Sequence, residues 1–179
     1  MNWKQLVQRV VVDSLREVGK QARRKNLKEP KPKGSAKQPR LKAHTRGYPG
    51  DYTGPVEPIY DPHPDGLPDP GEIVWTWVPY EEDYSQGKDR PVLLIGRDEP
   101  WLLGLQVTSQ DHDRSEHEAR AGRYWMDIGA GDWDNRRRPS EVRVNRIIRI
   151  DADAVRRIGA ILDEGMFDAV AREVQKHTP

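Results

Sequence analysis

Residues 72–78 read Glu-Ile-Val-Trp-Thr-Trp-Val, a run of β-branched and aromatic side chains that ends at Pro79. Such side chains suit the pleated, half-buried surface of a sheet, so the run predicts a β-strand. The stretch before it, residues 47–71, is rich in proline and glycine, which excludes a helix or a central strand there. We therefore expect regular structure to begin at Glu72.

Four more segments of the chain carry strand patterns. Residues 91–96 form a nearly continuous apolar run bounded by proline and glycine, which is typical of a strand buried on both faces. Residues 101–108 and 124–128 predict a third and a fourth strand, and residues 141–150, which alternate over their first half, predict a fifth. Short strands joined by polar turns are typical of a small barrel or a curled sheet.

The last part of the chain changes to helical periodicity. Beyond Asp151, the apolar positions 166, 167, 170, 171 and 174 fall on one face of a helix. Asp163 precedes them at the place of an N-cap. The sequence therefore predicts a mainly β domain that ends in a C-terminal helix.

The N-terminal third of the chain has a different character. Apolar residues at helical spacings predict an amphipathic helix over residues 1–19, docked on the domain or a partner, with a membrane-surface helix as the alternative. Residues 20–46 have almost nothing apolar to bury, and the Pro/Gly-rich stretch follows them. We therefore expect a disordered basic and Pro/Gly-rich linker over 20–68 and a folded domain over 69–177.

Composition excludes several classes of protein. The chain of 179 residues has room for one ordinary domain with tails, and its apolar share is 35%. It contains no cysteine, which excludes a disulfide scaffold, a thiolate nucleophile and a sulfur-based zinc site. The apolar run near the start is too short for a signal peptide or a membrane span, so the cytoplasm is the expected location.

Charge is distributed unevenly along the chain. Residues 1–48 contain 14 Lys/Arg against 3 Asp/Glu, whereas residues 49–179 contain 16 Lys/Arg against 26 Asp/Glu. The basic segment is suited to binding nucleic acid, an anionic surface or its own acidic domain, and the simpler interpretation is a solubilising tether.

Three motifs of the β-domain carry a family resemblance. Residues 71–75 read Gly-Glu-Ile-Val-Trp, residues 86–95 read Gln-Gly-Lys-Asp-Arg-Pro-Val-Leu-Leu-Ile, and residues 105–109 read Leu-Gln-Val-Thr-Ser. In order and spacing they resemble the signature of the PemK/MazF toxins, and the resemblance extends over about residues 69–176. It implies an SH3-like barrel of the kind also found in CcdB toxins, usually a homodimer. It also implies a toxin of a type II toxin–antitoxin system that cleaves single-stranded RNA at short motifs and is blocked by a cognate antitoxin.

The resemblance assigns the catalytic positions to Arg90 and Thr108. RNA cleavage without a metal uses the substrate's own 2′-OH as nucleophile, so the protein must stabilise phosphate charge and orient one hydroxyl. A guanidinium suits charge stabilisation better than proton transfer because its pKa lies above about 12. The simpler interpretation pairs Arg90 with Asp89 or Glu81 and makes Thr108 a turn cap.

Further positions complete the expected site. Ser109 and Gln110 would shape the pocket floor, and Arg143 corresponds to a second arginine that contacts the scissile phosphate in some members of the family. The alternative for Arg143 is cross-strand pairing with an acidic neighbour. The remaining supporting or RNA-binding candidates are Gln86, Asn145, Arg146 and, for base stacking, Trp133. Neither a metal nor another cofactor is expected.

Two departures from the family pattern leave other functions open. Lys88 and Asp89 make the turn before Arg90 one residue longer than is common. Asn145 stands where many members carry an acidic residue, and an amide cannot act as a general base. One alternative is therefore a catalytically weak or inactive barrel that binds a protein or a nucleic acid, DNA included. Another makes the basic tail the working part.

One loop invites a metal-site hypothesis. Residues 111–117 read Asp-His-Asp-Arg-Ser-Glu-His, which places ligand-type side chains close together. They lack a recognised ligand spacing, so we favour a solvated loop over the groove.

Overall fold

The structure is a computed structural model that describes residues 47–110, 118 and 120–177. The predicted helix over 1–19 and the first part of the predicted linker, 20–46, lie outside the described residues. In the part of the chain that the structure describes, no helix is long and apolar enough to cross a membrane.

The described chain is a six-stranded antiparallel sheet with one α-helix at its end. The elements are β1 Glu72–Pro79, β2 Gly87–Asp98, β3 Trp101–Thr108, β4 Trp125–Gly129, β5 Ser140–Ile150, the 3-10 helix Ala152–Ala154, β6 Arg157–Ile161 and α1 Glu164–His177. The five predicted strands and the C-terminal helix are therefore confirmed, and so is the mainly β class. Strand β2 begins four residues before the predicted run.

The sheet is open. Its strand order is β4-β5-β3-β2-β1-β6, so among the described residues the ladder ends at β4 on one side and at β6 on the other. The expected barrel is corrected on this point, because the hydrogen-bonded ladder does not close into a ring. The two terminal strands have only five residues each, so each pairs with only part of its longer neighbour.

The sixth strand was not predicted. Residues 157–161 read Arg-Ile-Gly-Ala-Ile, which is short, lacks alternation and contains a glycine. That glycine has a packing reason, since a Cβ at Gly159 would lie 2.9 Å from the carbonyl oxygen of Ile73. The strand pairs with β1 across a bulge between Ile73 and Val74, and this pairing defines it as a strand.

Both faces of the sheet bury apolar side chains. On one face, Leu93 and Ile95 of β2 pack in a core that includes Phe167, Val170 and Val174 of α1. On the other face, a smaller cluster contains Val74, Val78, Val92, Leu94, Leu102, Ile148 and Ile150. Because successive side chains of a strand point to opposite faces, these two clusters explain why residues 91–96 are apolar without interruption.

Helix α1 begins at the predicted cap. The Asp163 side chain accepts a hydrogen bond from the Met166 backbone N–H at 3.1 Å. Lys176 and His177 lie in the last turn, where positive charge is favourable for the helix dipole.

Residues 47–62, which we call the strap, lie along the sheet rather than away from it. Tyr52 forms an isolated β-bridge with Ile147, and the Ile59 N–H donates to the Ile95 carbonyl at 2.9 Å. The Tyr60 hydroxyl donates to the Leu162 carbonyl at 2.8 Å. The sequence placed this stretch in the disordered linker. The structure differs because half-buried side chains alternate with exposed ones between the prolines, which gives the strap enough apolar surface to pack.

Candidate active site

A cleft of about 180 Å³ opens on the face of the sheet that carries the smaller apolar cluster. At this end of the strands the same face becomes polar, because Arg90 precedes Val92 by two positions in β2, and Gln106 and Thr108 follow Gly104 in β3. Arg143 and Arg146 of β5 complete the strand-borne lining. The loop after β1 supplies two carboxylates to the rim, those of Glu81 and Glu82. The fold thus gathers polar residues of three strands and of the loop after β1 in one concavity.

Arg90 and Thr108 lie side by side in this cleft. Val92 faces Gln106 in the β2–β3 ladder, so the same register sets Arg90 beside Thr108 two residues further on. Both residues line the cleft and also a second cavity of about 140 Å³. The structure therefore brings together the two residues that the sequence assigned to catalysis, with open space on both sides of them.

The guanidinium of Arg90 has no partner among the described residues. Within residues 47–110, 118 and 120–177, no carboxylate lies within ion-pair distance of it and no acceptor takes its hydrogen bonds. The two carboxylates considered as partners are occupied elsewhere, since Asp89 pairs with Arg156 and Glu81 pairs with Arg143. Arg90 thus has its full charge and its N–H donors available to a ligand.

Thr108 is buried at the end of β3 with its hydroxyl oriented. The residue is 8% exposed, and its Oγ1 accepts a hydrogen bond from the Gln110 backbone N–H at 3.2 Å. Thr108 does cap the turn, as the simpler interpretation proposed, but that bond leaves the hydroxyl proton free to donate. Gln110 lines the cleft and Ser109 lines the second cavity, so the two flank Thr108.

Arg143 lines the cleft but is clamped. Its Nη1 and Nη2 donate to the two carboxylate oxygens of Glu81 at 2.9 and 3.0 Å, and its side chain is 7% exposed. The hydrogen bond from Arg143 lowers the pKa of Glu81, which keeps this carboxylate charged. A phosphate must therefore displace Glu81 before it can contact this arginine.

Arg146 is clamped as well, by a residue of the strap. Its Nε and Nη2 donate to the Asp51 carboxylate at 2.8 and 3.2 Å, and Nη2 also donates to the Pro79 carbonyl at 3.0 Å. The Tyr48 hydroxyl donates to Asp51 at 2.5 Å, and burial together with this bond raises the pKa of Tyr48. Arg146 is buried and neutralised, so it does not extend a positive path for RNA.

Asn145 lies outside the cleft lining and holds a loop. Its Nδ2 donates to the Gly122 carbonyl at 2.5 Å, and its Oδ1 accepts from the Tyr124 N–H at 3.1 Å and from Arg143 Nε at 3.3 Å. These bonds tie the approach to β4 onto β5 and orient Arg143. An amide serves this purpose because it both donates and accepts.

Two other candidates have structural surroundings. Gln86 lies in the exposed turn after β1, where its Nε2 donates to Asp83 at 2.7 Å, and it lines neither cavity. Trp133 is 5% exposed, packs in the larger core and donates through Nε1 to the Ser140 hydroxyl at 3.1 Å. A base can reach only the part of the Trp133 ring that faces the second cavity.

Sequence reasoning missed several cleft residues. Gln106 precedes Thr108 by two positions in β3, so strand alternation alone places both on one face. Arg123 also lines the cleft, with ion pairs of 3.2 Å to Glu82 and 3.3 Å to Glu118. No local pattern reveals the pairing of Arg123 with Glu82, because 41 residues separate them.

The metal-site hypothesis concerns residues 111–117, which lie outside the described residues. Within the described ranges, no three His, Asp or Glu side chains are grouped so that they could hold a metal ion.

The comparison with known families agrees with this fold and site. Residues 69–178 match the model of the PemK-like, MazF-like toxins of type II toxin–antitoxin systems. Because the match spans more than half of the chain, the chain belongs to this family of toxins. Membership implies a cognate antitoxin as partner. No curated protein matches the chain. The strap precedes the matched region, so Asp51 is a cleft-supporting residue that the family match does not include.

Proposed function

We propose that this chain is a toxin that cleaves single-stranded RNA selectively at short sequence motifs and without a metal ion. The observation that carries the proposal is the position of the Arg90 guanidinium, which has no partner in the described part of the chain, beside the Thr108 hydroxyl at the junction of two cavities. In a cleft where the other strand-borne arginines are clamped by carboxylates, Arg90 is the cation best placed to receive a phosphate.

The proposed reaction needs the RNA, these two groups at its centre, and water to take up one proton and supply another. The 2′-oxygen of the nucleotide before the cut forms a bond to phosphorus, and the bond from phosphorus to the 5′-oxygen of the next nucleotide breaks. The 2′-OH proton passes to water and the departing 5′-oxygen takes a proton from water, so the products are a cyclic phosphate and a free 5′-OH. Negative charge grows on the phosphate oxygens in between.

Each residue has a distinct part in this step. Arg90 donates two N–H groups to the phosphate oxygens and stabilises the growing charge, because a guanidinium does not give up its proton near neutral pH. The Thr108 hydroxyl donates a hydrogen bond to the same phosphate and is held in place by the Gln110 N–H. Glu81 is a poor proton acceptor, since its bidentate bonds to Arg143 lower its pKa.

The non-catalytic alternative rested on Asn145. The Asn145 side chain is hydrogen-bonded to Gly122, Tyr124 and Arg143 and does not line the cleft. An acidic residue at this position would also lie outside the cleft lining, so the amide in its place does not remove a proton acceptor from the cleft. This favours the nuclease over a barrel that only binds.

The antitoxin fits the same cleft. An acidic peptide laid across it would offer a carboxylate to Arg90 and so compete with the RNA phosphate. We further propose a cytoplasmic homodimer, in line with the family resemblance.

The proposal is tested by incubating the purified protein with a mixture of single-stranded RNAs in chelator and mapping the ends. Arg90→Ala and Thr108→Val should each lose cleavage by about a hundredfold or more, because each removes one donor to the reacting phosphate. Arg97→Ala is the control for Arg90, since it removes an arginine from the same strand outside the cleft. Thr53→Val is the control for Thr108, because Thr53 is exposed on the strap. Intact RNA at high protein concentration would instead support the binding module.

A further inference from the structure

The second cavity, which we call the tryptophan cavity, lies beside the Arg90–Thr108 pair. Its walls include Trp75, Asp89, Pro91, Ser109, Trp133 and Asp134, and it shares Arg90 and Thr108 with the cleft. Any group that occupies it therefore lies next to the ligand that those two residues hold. For a phosphate in a nucleotide chain, that group is a neighbouring nucleoside.

The size and walls of the cavity suit one flat ring system. Pockets for drug-sized ligands span roughly 300–1,000 Å³, whereas this cavity has about 140 Å³. Pro91 and the parts of Trp75 and Trp133 that face the cavity give it apolar surface against which a ring can pack, while the Arg156 and Arg157 guanidiniums lie over the Trp75 ring. The two indoles are fixed, because Trp75 Nε1 donates to the Trp133 carbonyl at 2.8 Å and Trp133 Nε1 donates to Ser140.

Most polar groups of the cavity wall are already satisfied. The Asp134 carboxylate accepts from the backbone N–H groups of Arg136 and Arg138 and from the Arg138 guanidinium. The Ser140 hydroxyl donates to the Arg138 carbonyl and accepts from Trp133. These groups hold the wall together and have little capacity left for a ligand.

Asp89 is different. Its Oδ2 accepts from Arg156, but its Oδ1 is buried and has no hydrogen-bond partner among the residues that the structure describes. Oδ1 itself has almost no exposed surface, but Asp89 lines the cavity and a quarter of its side chain is exposed, so a small rotation of the carboxylate presents an oxygen to a group in the cavity. A buried acceptor without a donor is unfavourable, and a ligand that brings a donor removes that cost. Asp89 is also one of the two residues between Gly87 and Arg90, where the common family pattern has one residue fewer, and the structure places both in β2.

We propose that the tryptophan cavity binds the base of the nucleotide next to the phosphate held by Arg90, and that Asp89 selects a base with an exocyclic amino group there. This inference rests on the proposed function of the Arg90–Thr108 pair. A carboxylate only accepts hydrogen bonds. Cytosine presents an amino group at its position 4, whereas uracil presents a carbonyl oxygen there, which a carboxylate repels. Cytosine and uracil are alike in size, so they isolate this one contact.

The test measures binding of short fluorescent RNAs that carry 2′-O-methyl groups, which removes the nucleophile and prevents cleavage. Each position in turn is cytidine or uridine. At one position the wild-type protein should bind the cytidine form about tenfold more tightly, which corresponds to one specific base contact. Asp89→Asn should abolish or reverse this preference, because an amide can donate to the uracil oxygen.

Two control variants separate selection from charge. Arg156→Gln removes the ion-pair partner of Asp89. It should lower the affinity for the cytidine and uridine forms equally, so that the preference for cytidine remains. Asp132→Asn removes one carboxylate from an exposed ion pair with Arg137 and should also keep the preference. Equal affinity for both bases at every position of the wild-type protein would overturn the proposal, and so would a preference that persists in Asp89→Asn.

The same oligonucleotides with free 2′-OH groups distinguish the two proposals. Cleavage of these RNAs without any cytidine preference in the binding assay would refute the base subsite and support the nuclease. A cytidine preference without cleavage would remove the nuclease and keep the cavity as the subsite of a binding protein.

Discussion

Asp51 and Arg146 form a bidentate ion pair although 95 residues separate them in the chain. Arg146 is a buried residue of the cleft lining, and Asp51 belongs to the strap, ahead of the region that matches the toxin family. The same guanidinium donates to the Pro79 carbonyl, where β1 ends and the loop with Glu81 begins. The strap thus supports the cleft through one buried charge.

This relationship predicts the effect of removing Asp51. Asp51→Ala leaves the Arg146 guanidinium buried without its partner, which costs about 3–5 kcal/mol of unfolding free energy. Urea denaturation followed by tryptophan fluorescence measures it. Glu57→Ala is the matched control, because Glu57 is an exposed carboxylate of the same strap, and it should change stability by no more than about 0.5 kcal/mol. Equal stability of the two variants would show that the pair contributes nothing.

The strap also defines where the chain can be shortened. Residues 1–46 contain 14 Lys/Arg and 3 Asp/Glu, a composition that suits nucleic-acid binding or a solubilising tether more than a packed core. Deletion of 1–46 should leave the unfolding transition unchanged and flatten the salt dependence of RNA affinity, because fewer counterions are released on binding. A deletion that continues through residue 62 removes Asp51 and Tyr52 as well, so it should unfold at a lower urea concentration. A shorter chain that begins at residue 47 but fails to fold would contradict this division.

The strands were predictable wherever one segment carries its own pattern. Residues 101–108 have the same bounds in sequence and structure, since apolar side chains and flanking turns mark them locally. Strand β6 was missed because its five residues become a strand only through pairing with β1. The strap was misjudged because its prolines concealed the half-buried alternation of Tyr52, Val56 and Tyr60.

The residues of the candidate site were likewise predictable only in part. Arg90 and Thr108 lie in local motifs, and the strand register places them together. The clamps on Arg143 and Arg146 come from carboxylates 62 and 95 residues away, which a spacing rule cannot find. A buried arginine and a phosphate-binding arginine look alike in sequence, and only the position of the carboxylate tells them apart.

Asp134 predicts an acid dependence of stability. Hydrogen bonds from Arg138 lower the pKa of Asp134 from 3.8 to about 2. A carboxyl group with a depressed pKa in the folded state stabilises the fold above its unfolded pKa, and this contribution is lost as the pH falls through the folded value. The melting temperature of the wild-type protein should therefore exceed that of Asp134→Asn at neutral pH, and the difference should shrink as the pH falls from 3.8 towards 2. A difference that stays constant over this interval would assign the effect of Asp134→Asn to something other than ionisation.

Glu81 predicts a gain rather than a loss of RNA binding. In Glu81→Gln the bidentate clamp on Arg143 is weakened and one negative charge leaves the rim of the cleft, so the Arg143 guanidinium can turn to a phosphate. We expect affinity for 2′-O-methyl RNA to rise about two- to fivefold, in keeping with the modest energy of a partly exposed ion pair, and its salt dependence to become steeper. Glu57→Gln changes the net charge by the same amount at an exposed position of the strap. It should leave the RNA affinity within twofold of the wild-type value, as expected for a screened charge. Weaker binding by Glu81→Gln would mean that Arg143 contacts RNA only in the orientation that Glu81 imposes, so that the clamp positions the arginine instead of masking it.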